Sequence, residues 1–418
     1  MREMISPEEA RELVLSKVQA GRVVTVDLLD ALGRVAAQDV VSDMDVSPFA
    51  HSAMDGFALR SQDIAQASEG DPVKLRVIAD VPAGSCHEGV IREGECVRIM
   101  TGAAVPEEAD AVVKYEIVGV EEGDGKAGSL VSFTAPVKLR ANIREAGEEA
   151  KAGETVLRQG EIVSSAGAGF LASCGSLSID VYARPKVAII ATGSELVDPS
   201  QLPQAGKIRN SNSYAMAACA KRAGCEPAIF PIVEDTLEAL KRAIAEASEG
   251  YDFIVTTGGA ANGDFDFIKQ AIDDLGELCM STVNMRPGKA QAFGMVNGVP
   301  VFGLPGNPAA AYVGFELLIR PALRKMQGYT CLDPQVVRAA LSKDVGKRDP
   351  RRIYLRSTLR RAEDGSLVVE PASKQSSGLF GVIQRSNCLA IMPEGLEAKK
   401  AGDLVDCVLL DIPEEAVF

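Results

Sequence analysis

The sequence has little histidine and no long run of apolar residues, and both shortages narrow what the protein can be. Only two histidines, His51 and His87, occur among the 418 residues. A histidine-ligated metal site or a histidine-based catalytic triad is therefore not expected. Without an apolar run long enough to cross a bilayer, no transmembrane helix is predicted. Hydrophobic residues make up 46% of the chain, which indicates a soluble globular protein of more than one domain.

Cysteine is present but is not arranged for metal binding or cross-linking. The nine cysteines are scattered, and no Cys-x-x-Cys pair occurs. We therefore expect neither structural zinc nor a secreted disulfide framework, and we expect reduced thiols. The first residues are charged and enter a predicted helix, unlike the apolar core of a secretory signal. A cytoplasmic location is expected.

Positive charge is in short supply. The chain has a formal net charge of −14, which disfavours general binding to nucleic acid or to a membrane surface. An anionic substrate must therefore be held locally, by backbone amides, by helix N-termini and by a few placed cations.

The stretch around which the chain is organised is 253–269. Its apolar residues 253–255 are typical of a buried parallel strand, and the glycines Gly258, Gly259 and Gly263 interrupt the strand pattern at once. Glycines at a strand end let backbone N–H groups face an anion. The carboxylates Asp264 and Asp266 follow, and beside a phosphate they suit Mg²⁺. The alternative is a tight strand-to-helix turn with one of these aspartates as the helix N-cap.

Alternating strands and helices from about residue 183 to 328 predict a doubly wound parallel α/β sheet domain. Carboxylates follow three of its strands: Glu195 follows the first, Asp235 the second, and the pair at 264 and 266 the third. Like charges gathered at one sheet edge repel each other unless a cation or a donor-rich ligand separates them. The sequence therefore predicts a ligand site at this edge.

Short strands with frequent glycine and proline turns occupy the regions on either side, so the fold class is multidomain α/β plus β. The sheet domain is expected to carry an inserted β domain before it and a C-terminal β domain after it. The predicted segments are an N-terminal helix that packs on the sheet domain (1–25), a linker domain (26–45 and 146–182), the inserted β domain (46–145), the α/β domain (183–328) and the C-terminal β domain (329–418).

A basic pair follows in the α/β domain. Arg286 and Lys289 flank a Pro-Gly turn and supply the positive charge that an oxyanion needs. The alternatives are a solvated surface pair, or an oxyanion site formed by Arg351, Arg352 or Arg356 in the C-terminal domain.

Seven stretches of the chain together resemble one family. They are Ser-Ala-Met-Asp-Gly (52–56), Arg-Ile-Met-Thr-Gly-Ala (98–103), Ala-Asp-Ala-Val-Val (109–113), Ala-Thr-Gly-Ser-Glu-Leu (191–196), Gly-Gly and Gly-Asp-Phe-Asp (258–266), Arg-Pro-Gly-Lys (286–289) and Gly-Leu-Pro-Gly-Asn-Pro (303–308). In this order they are similar to molybdopterin molybdenumtransferase, the MoeA and gephyrin E-domain family. The resemblance spans essentially the whole chain. It implies a four-domain homodimer whose sheet domain resembles molybdopterin adenylyltransferase.

The resemblance implies a reaction and a set of site residues. Molybdate is inserted into adenylylated molybdopterin with release of AMP, and Mg²⁺ is the cofactor. Asp55 and Thr101 are assigned to the inserted domain, which reaches the site of the partner subunit. The implied catalytic residues are Asp55, Thr101, Asp235, Asp266 and Lys289. The implied metal ligands are Glu195, Asp235 and Asp266, and the implied cofactor-binding residues are Gly193, Glu195, Ser211, Gly258, Gly259, Gly263, Arg286, Pro305, Gly306 and Asn307.

The sequence departs from the family pattern at two places. Ala261 and Ala310 stand where the family usually has serine, so two hydroxyl donors are missing. This leaves molybdate and tungstate as alternative oxyanions. Two other functions also stay open, a molybdopterin adenylyltransferase and a non-catalytic scaffold or cofactor carrier. The partners that the resemblance implies include a molybdopterin adenylyltransferase and apo-molybdoenzymes or their chaperones.

Overall fold

A computed structural model describes residues 1–258 and 267–410, and the chain divides into two compact units. One unit comprises Met1–Val24 and the described residues from Tyr182 onward, and the other comprises Thr25–Val181. The predicted glycines 259 and 263, the aspartates 264 and 266, and Ala261 lie outside the described residues. Each unit has its own sheets and its own hydrophobic core, and each is considered separately below.

A six-stranded sheet forms the centre of the first unit. Its strands, in spatial order, are Glu226–Ile229, Lys186–Ala191, Phe253–Thr257, Val299–Leu304, Ala290–Val296 and Gly276–Thr282. The first four strands are parallel, and the last two are antiparallel to their neighbours. A short parallel pair, Leu196–Val197 with Ile208–Arg209, lies beyond the second strand in sequence. The carboxyl ends of four parallel strands therefore meet at one edge.

Both faces of this sheet are covered. Val187 and Ile189 point into one core and Ala188 and Ile190 into another, as the alternation of a strand requires. The helices on the two faces are Asn212–Arg222, Leu237–Gly250, Phe267–Leu275 and Pro308–Gly314, the last continuing through a π-helical turn, Phe315–Ile319, into Arg320–Met326. Burial on both faces explains the uninterrupted apolar runs in the sequence.

The N-terminal helix Pro7–Lys17 packs on the same unit. Ser6 Oγ accepts a hydrogen bond from the Glu9 backbone N–H, and Glu9 accepts one from the Ser6 backbone, which forms a capping box. Ala10 and Val14 are fully buried in a core that also contains residues of the central sheet.

The C-terminal β domain is a closed barrel. Its strands are Val336–Leu341, Arg352–Arg361, Leu367–Pro371, Cys388–Met392 and Leu404–Leu409, and a short helix spans Phe380–Ile383. Each strand pairs with two others of the set, and Met285–Arg286 adds to the strand at 352. This pairing attaches the basic turn of the sheet domain to the barrel.

The second unit contains another six-stranded sheet, in the order Ala111–Lys114, Gly56–Leu59, Glu95–Ile99, Val73–Val81, Leu130–Phe133 and Gly119–Glu122. Two two-stranded sheets of this unit pair Val40–Val41 with Thr155–Leu157 and His51–Ser52 with Ile143–Arg144. The strands Val23–Asp27 and Ser178–Tyr182, which lie mostly within this unit, also pair with each other. Its helix is Ser165–Ser173, and 3₁₀ turns span Leu28–Ala31, Ser61–Ile64 and Tyr115–Ile117.

The structure confirms the predicted fold class, with three local differences. The central sheet is mixed rather than parallel, because the segment after the basic turn forms an antiparallel hairpin. The apolar run 228–233 predicts a strand there, whereas the structure has the strand at Glu226–Ile229. The sequence also predicts a helix at 309–320, and in the structure the helical segment continues to Met326. In the part of the chain that the structure describes, no helix is long and apolar enough to cross a membrane.

Candidate functional site

Two of the predicted acidic residues lie beside Thr192, at the carboxyl edge of the central sheet. The Thr192 hydroxyl donates to Asp235 Oδ1 over 3.1 Å. A Cβ placed on Gly193 would lie 2.7 Å from Glu195 Oε2, so this carboxylate folds back over the glycine. Among the described residues, neither carboxylate has a lysine or arginine partner. We call these two carboxylates, together with Thr192 and Gly193 that they contact, the acidic edge.

The glycine turn after the third strand closes on this edge. Gly258 has φ +95°, and a Cβ there would lie 2.0 Å from the Thr192 carbonyl oxygen. Only glycine fits this conformation and this close approach. Gly306 packs against the turn, since its own added Cβ would lie 3.7 Å from the Gly258 Cα. The structure thus brings together two of the predicted backbone-binding loops.

Ser211, the remaining predicted residue at this edge, precedes the helix Asn212–Arg222. Its side chain makes no capping hydrogen bond to that helix. No group of three or more potential metal-ligating side chains is present among the described residues. Since Asp266 lies outside them, the predicted metal set is represented here by Glu195 and Asp235.

A large cleft lies between the basic turn and the C-terminal barrel, and we call it the basic cleft. Its volume is about 1310 Å³. The predicted residues Arg286, Lys289, Pro305 and Asn307 line it, together with Ala310. Because the Pro305–Asn307 loop contains Gly306, it borders both the cleft and the glycine turn at the acidic edge.

The cations of the cleft divide into paired and unpaired groups. Arg286 Nη1 lies 3.1 Å from Asp349, which also accepts hydrogen bonds from Arg351. The Arg351 guanidinium holds the pKa of the Asp349 carboxyl well below its usual range, with Arg286 contributing. Lys343 lies 3.8 Å from Glu370, and Arg352, which does not line the cleft, is paired with Glu8 and Glu394.

Lys289, Arg356 and the exposed Arg348 form the unpaired group among the described residues. The side chain of half-buried Lys289 has no hydrogen bond or ion pair within the described part of the chain. Arg356 is 2% exposed, its Nη2 donates to the Ser376 carbonyl over 3.1 Å, and its Nε has no partner. Burial, followed by the nearby charge of Arg286, lowers the pKa of Arg356 to about 10, so the side chain stays charged at pH 7. A buried charge without a carboxylate indicates an anion site.

Asp55 and Thr101 lie together in the second unit. The Thr101 backbone N–H and hydroxyl both donate to Asp55 Oδ1, over 2.8 and 2.7 Å. These bonds, the backbone one first, lower the pKa of the Asp55 carboxyl. Arg98, whose guanidinium lies 5.0 Å above the Tyr115 ring, also lowers this pKa. Both Asp55 and Thr101 are exposed, so the pair is available to a ligand.

The sequence analysis gives one residue of the site only as an alternative and does not include another. Arg356 was only an alternative, because its burial and its free Nε are properties of the folded barrel. Asn212 was not considered, although its amide touches both loops at the acidic edge. Its position directly after Ser211, which the resemblance assigns to cofactor binding, was the available signal.

Comparison with known proteins covers nearly the whole chain. Family models match residues 5–175 as the MoeA N-terminal region (domains I and II), residues 188–325 as a probable molybdopterin binding domain, and residues 338–410 as the MoeA C-terminal region (domain IV). A curated molybdopterin molybdenumtransferase from Staphylococcus aureus (strain COL) is 35% identical over 98% of this chain and 96% of its own length. One from Staphylococcus epidermidis (strain ATCC 12228 / FDA PCI 1200) is 34% identical over 97% of this chain and 96% of its own length.

Solved structures give the same result. The crystal structure of a molybdopterin biosynthesis MoeA protein from Pyrococcus horikosii superposes with a TM-score of 0.84 at 30% identity, covering 97% of this chain and 99% of that one. A second structure, of a molybdopterin biosynthesis MoeA protein from Pyrococcus horikoshii OT3, gives a TM-score of 0.82 at 28% identity and covers 98% of this chain and 100% of that one. The resemblance inferred from the seven motifs is confirmed: the chain belongs to the molybdopterin molybdenumtransferase (MoeA) family.

Proposed function

We propose that the protein is a transferase that inserts molybdate into adenylylated molybdopterin, with release of AMP, in molybdenum cofactor biosynthesis. The observation that carries this proposal is the full-length match to relatives named molybdopterin molybdenumtransferase. The site is chemically suited to the reaction, because a basic cleft and an acidic edge share the Pro305–Asn307 loop. An oxyanion and a phosphoanhydride can thus be held next to each other.

We further propose that Mg²⁺ is the cofactor, held by Glu195 and Asp235 and by Asp266. The two described carboxylates have no counter-cation, and Mg²⁺ in phosphate sites commonly takes one or two carboxylates, with water and phosphate oxygens completing its shell. The donor set therefore fits a hard divalent cation. When bound, Mg²⁺ supplies charge that polarises a phosphoanhydride.

The oxyanion is proposed to bind at Lys289 and Arg356. Both are cations without a carboxylate partner, whereas Arg286 shares Asp349 with Arg351 and is expected to contribute less. Molybdate and tungstate carry the same charge and are both tetrahedral, so this pair of cations accepts either.

The chain's own contribution to the reaction is positioning. Backbone groups of Gly258 and Gly306 would hold the pterin nucleotide, and Lys289 would orient the oxyanion beside it. Holding two reactants in the correct geometry removes a large part of the entropic barrier of a bimolecular step. The sequence places Ser52 beside His51 and Cys86 beside His87, but neither pair lines the basic cleft, and we propose no covalent intermediate.

A homodimer is proposed to complete the site with Asp55 and Thr101 of the second chain. Exposed apolar side chains in the second unit support an interface between copies. Leu29 is 82% and Leu177 is 71% exposed, and the backbone of Leu28 bonds to that of Leu177, so the two lie near each other. Apolar patches of this kind mark interaction surfaces. Mixing Asp55→Ala and Asp235→Ala proteins should restore activity once subunits exchange, and a mixture as inactive as its components would contradict the proposal.

Cellular partners follow from the same reaction. A molybdopterin adenylyltransferase is proposed to supply the substrate, and apo-molybdoenzymes or their chaperones to accept the product. We propose a cytoplasmic location on the basis of the reduced, scattered cysteines.

One assay tests the proposed activity. The protein is incubated with adenylylated molybdopterin, Mg²⁺ and either molybdate or tungstate, and AMP and inserted metal are quantified. AMP release in proportion to metal insertion is expected. Consumption of ATP with unadenylylated molybdopterin would indicate an adenylyltransferase instead, and binding without turnover would indicate a carrier.

A further inference from the structure

One buried side chain connects the ends of two strands at the acidic edge. Asn212 is the first residue of the helix Asn212–Arg222 and is 8% exposed. Its Nδ2 donates to the Thr257 hydroxyl over 2.7 Å and to the Gly306 carbonyl over 2.9 Å. Thr257 ends the strand before the Gly258 turn, and Gly306 lies in the loop after the neighbouring strand. The amide therefore spans the gap between the two loops.

The connection continues to the carboxylates. The Thr257 carbonyl accepts a hydrogen bond from the Thr192 N–H over 3.1 Å, and the Thr192 hydroxyl in turn donates to Asp235. A continuous chain of contacts therefore runs from Asp235 through Thr192, Thr257 and Asn212 to Gly306. Such a chain fixes the distance between an acidic group and a backbone loop that belong to different strands.

Stability alone does not explain an asparagine at this position. The Asn212 Oδ1 atom is enclosed and has no hydrogen-bond partner, and an unsatisfied buried acceptor is costly. Nearby Asn210, 4% exposed, makes a useful contrast. Its Nδ2 donates to the Ser213 hydroxyl and its Oδ1 accepts from the Ser213 N–H. Both polar atoms of this side chain are therefore hydrogen-bonded to the first turn of the helix that follows it.

We propose that Asn212 is a positioning residue, which fixes the spacing between the Gly258 turn and the Pro305–Asn307 loop. It thereby sets where the pterin nucleotide lies relative to the acidic edge, without touching the reacting atoms. This inference rests on the proposed function, since the nucleotide is the ligand that these loops would hold. The oxyanion cations Lys289 and Arg356 are not part of the chain of contacts, so oxyanion binding should be independent of Asn212.

The test compares Asn212→Ala with Asn210→Ala in the full-length protein. Both remove a buried amide with two hydrogen bonds, so similar losses of melting temperature are expected. Only Asn212→Ala should raise the KM for adenylylated molybdopterin, by about ten-fold for the loss of two hydrogen bonds. The molybdate concentration at half-saturation should stay within about two-fold of wild type for both variants, as for changes away from a site.

Substitutions of Thr257 test the same positioning role if Asn212→Ala does not fold. Thr257→Val removes the hydroxyl and keeps the shape, so the KM for the nucleotide should rise by a few-fold, about the loss of one hydrogen bond. Thr257→Ser keeps the hydroxyl and should restore the wild-type KM. Equal KM values for Asn212→Ala and Asn210→Ala, or for Thr257→Val and Thr257→Ser, would overturn the positioning role. A wild-type protein without AMP release would refute the proposed function itself, which is a separate result.

Discussion

The acidic edge and the basic cleft belong to the same unit, yet they differ in whether their charged side chains have ion-pair partners within the protein. In the cleft, Arg286 and Arg351 share Asp349, so part of its positive charge is neutralised by the protein itself. At the acidic edge, Glu195 and Asp235 have no cation partner among the described residues.

The difference shows where the protein leaves charge for a ligand. Unpaired carboxylates at a strand edge repel each other and attract a cation, whereas a paired arginine mainly shapes the cleft wall. Within the cleft, Lys289 and Arg356 resemble the carboxylates of the acidic edge, because they too lack a partner of opposite charge. Substitutions of unpaired groups should therefore affect activity, and substitutions of paired groups should affect stability.

The largest effect is expected at the acidic edge. Asp235→Asn removes one charge with little change in volume, and Mg²⁺-dependent AMP release should fall at least roughly a hundred-fold, beyond the 10–100-fold typical of outer-shell metal partners. Asp252→Asn is the matched control, since Asp252 lies at the opposite end of the same strands and accepts a bond from the Lys186 N–H. Its Mg²⁺ titration should match that of wild type. Unchanged turnover of Asp235→Asn at limiting Mg²⁺ would contradict the metal assignment.

Lys289→Met should have the next largest effect. It keeps most of the apolar stem and removes the charge, and a charge-assisted contact is worth ~1.5–3 kcal/mol, or roughly ten- to a hundred-fold. The molybdate requirement should rise by that factor, while binding of adenylylated molybdopterin changes little. Lys400→Met, which removes an exposed cation paired with Asp344, should stay within about 0.5 kcal/mol. A molybdate titration of Lys289→Met that superimposes on wild type would place the oxyanion elsewhere.

Arg356→Met should separate binding from stability inside the barrel. Because the buried guanidinium has no carboxylate partner, the loss of its charge should raise the molybdate requirement roughly ten-fold without lowering the melting temperature by more than a few degrees. Differential scanning calorimetry and a molybdate titration check the two parts. A large fall in melting temperature with normal molybdate use would assign Arg356 to the structure of the barrel instead.

The smallest effect is a pH dependence of stability at Asp349. Arg351 and Arg286 hold the pKa of this carboxyl below its unfolded value of about 4, so its stabilising effect is fully present above that pH. The effect is lost as the pH falls through the lower pKa of the folded state. Asp349→Asn should therefore lower the melting temperature at pH 7, and its difference from wild type should shrink below about pH 4. A difference that is constant with pH would show that the carboxylate charge is not what stabilises the loop.

Much of the fold could be predicted from local patterns. The helix Pro7–Lys17 has its full capping box in the sequence, and the apolar runs identify the four parallel strands. The hairpin strand Ala290–Val296 was not predicted, because the Pro-Gly turn before it was interpreted only as a carrier of two cations. Its pairing with Val299–Leu304 is a tertiary property of the segment.

The sequence by itself determined the family, the parallel part of the sheet and the positions of Glu195 and Asp235 after two of its strands, because parallel strands present their carboxyl ends at one edge. Only the tertiary structure decided which cations are free. Arg286 is neutralised by a residue 63 positions away, and the burial of Arg356 depends on closure of the barrel. Ion pairs and burial are set by distances in space, and sequence motifs carry no such distances.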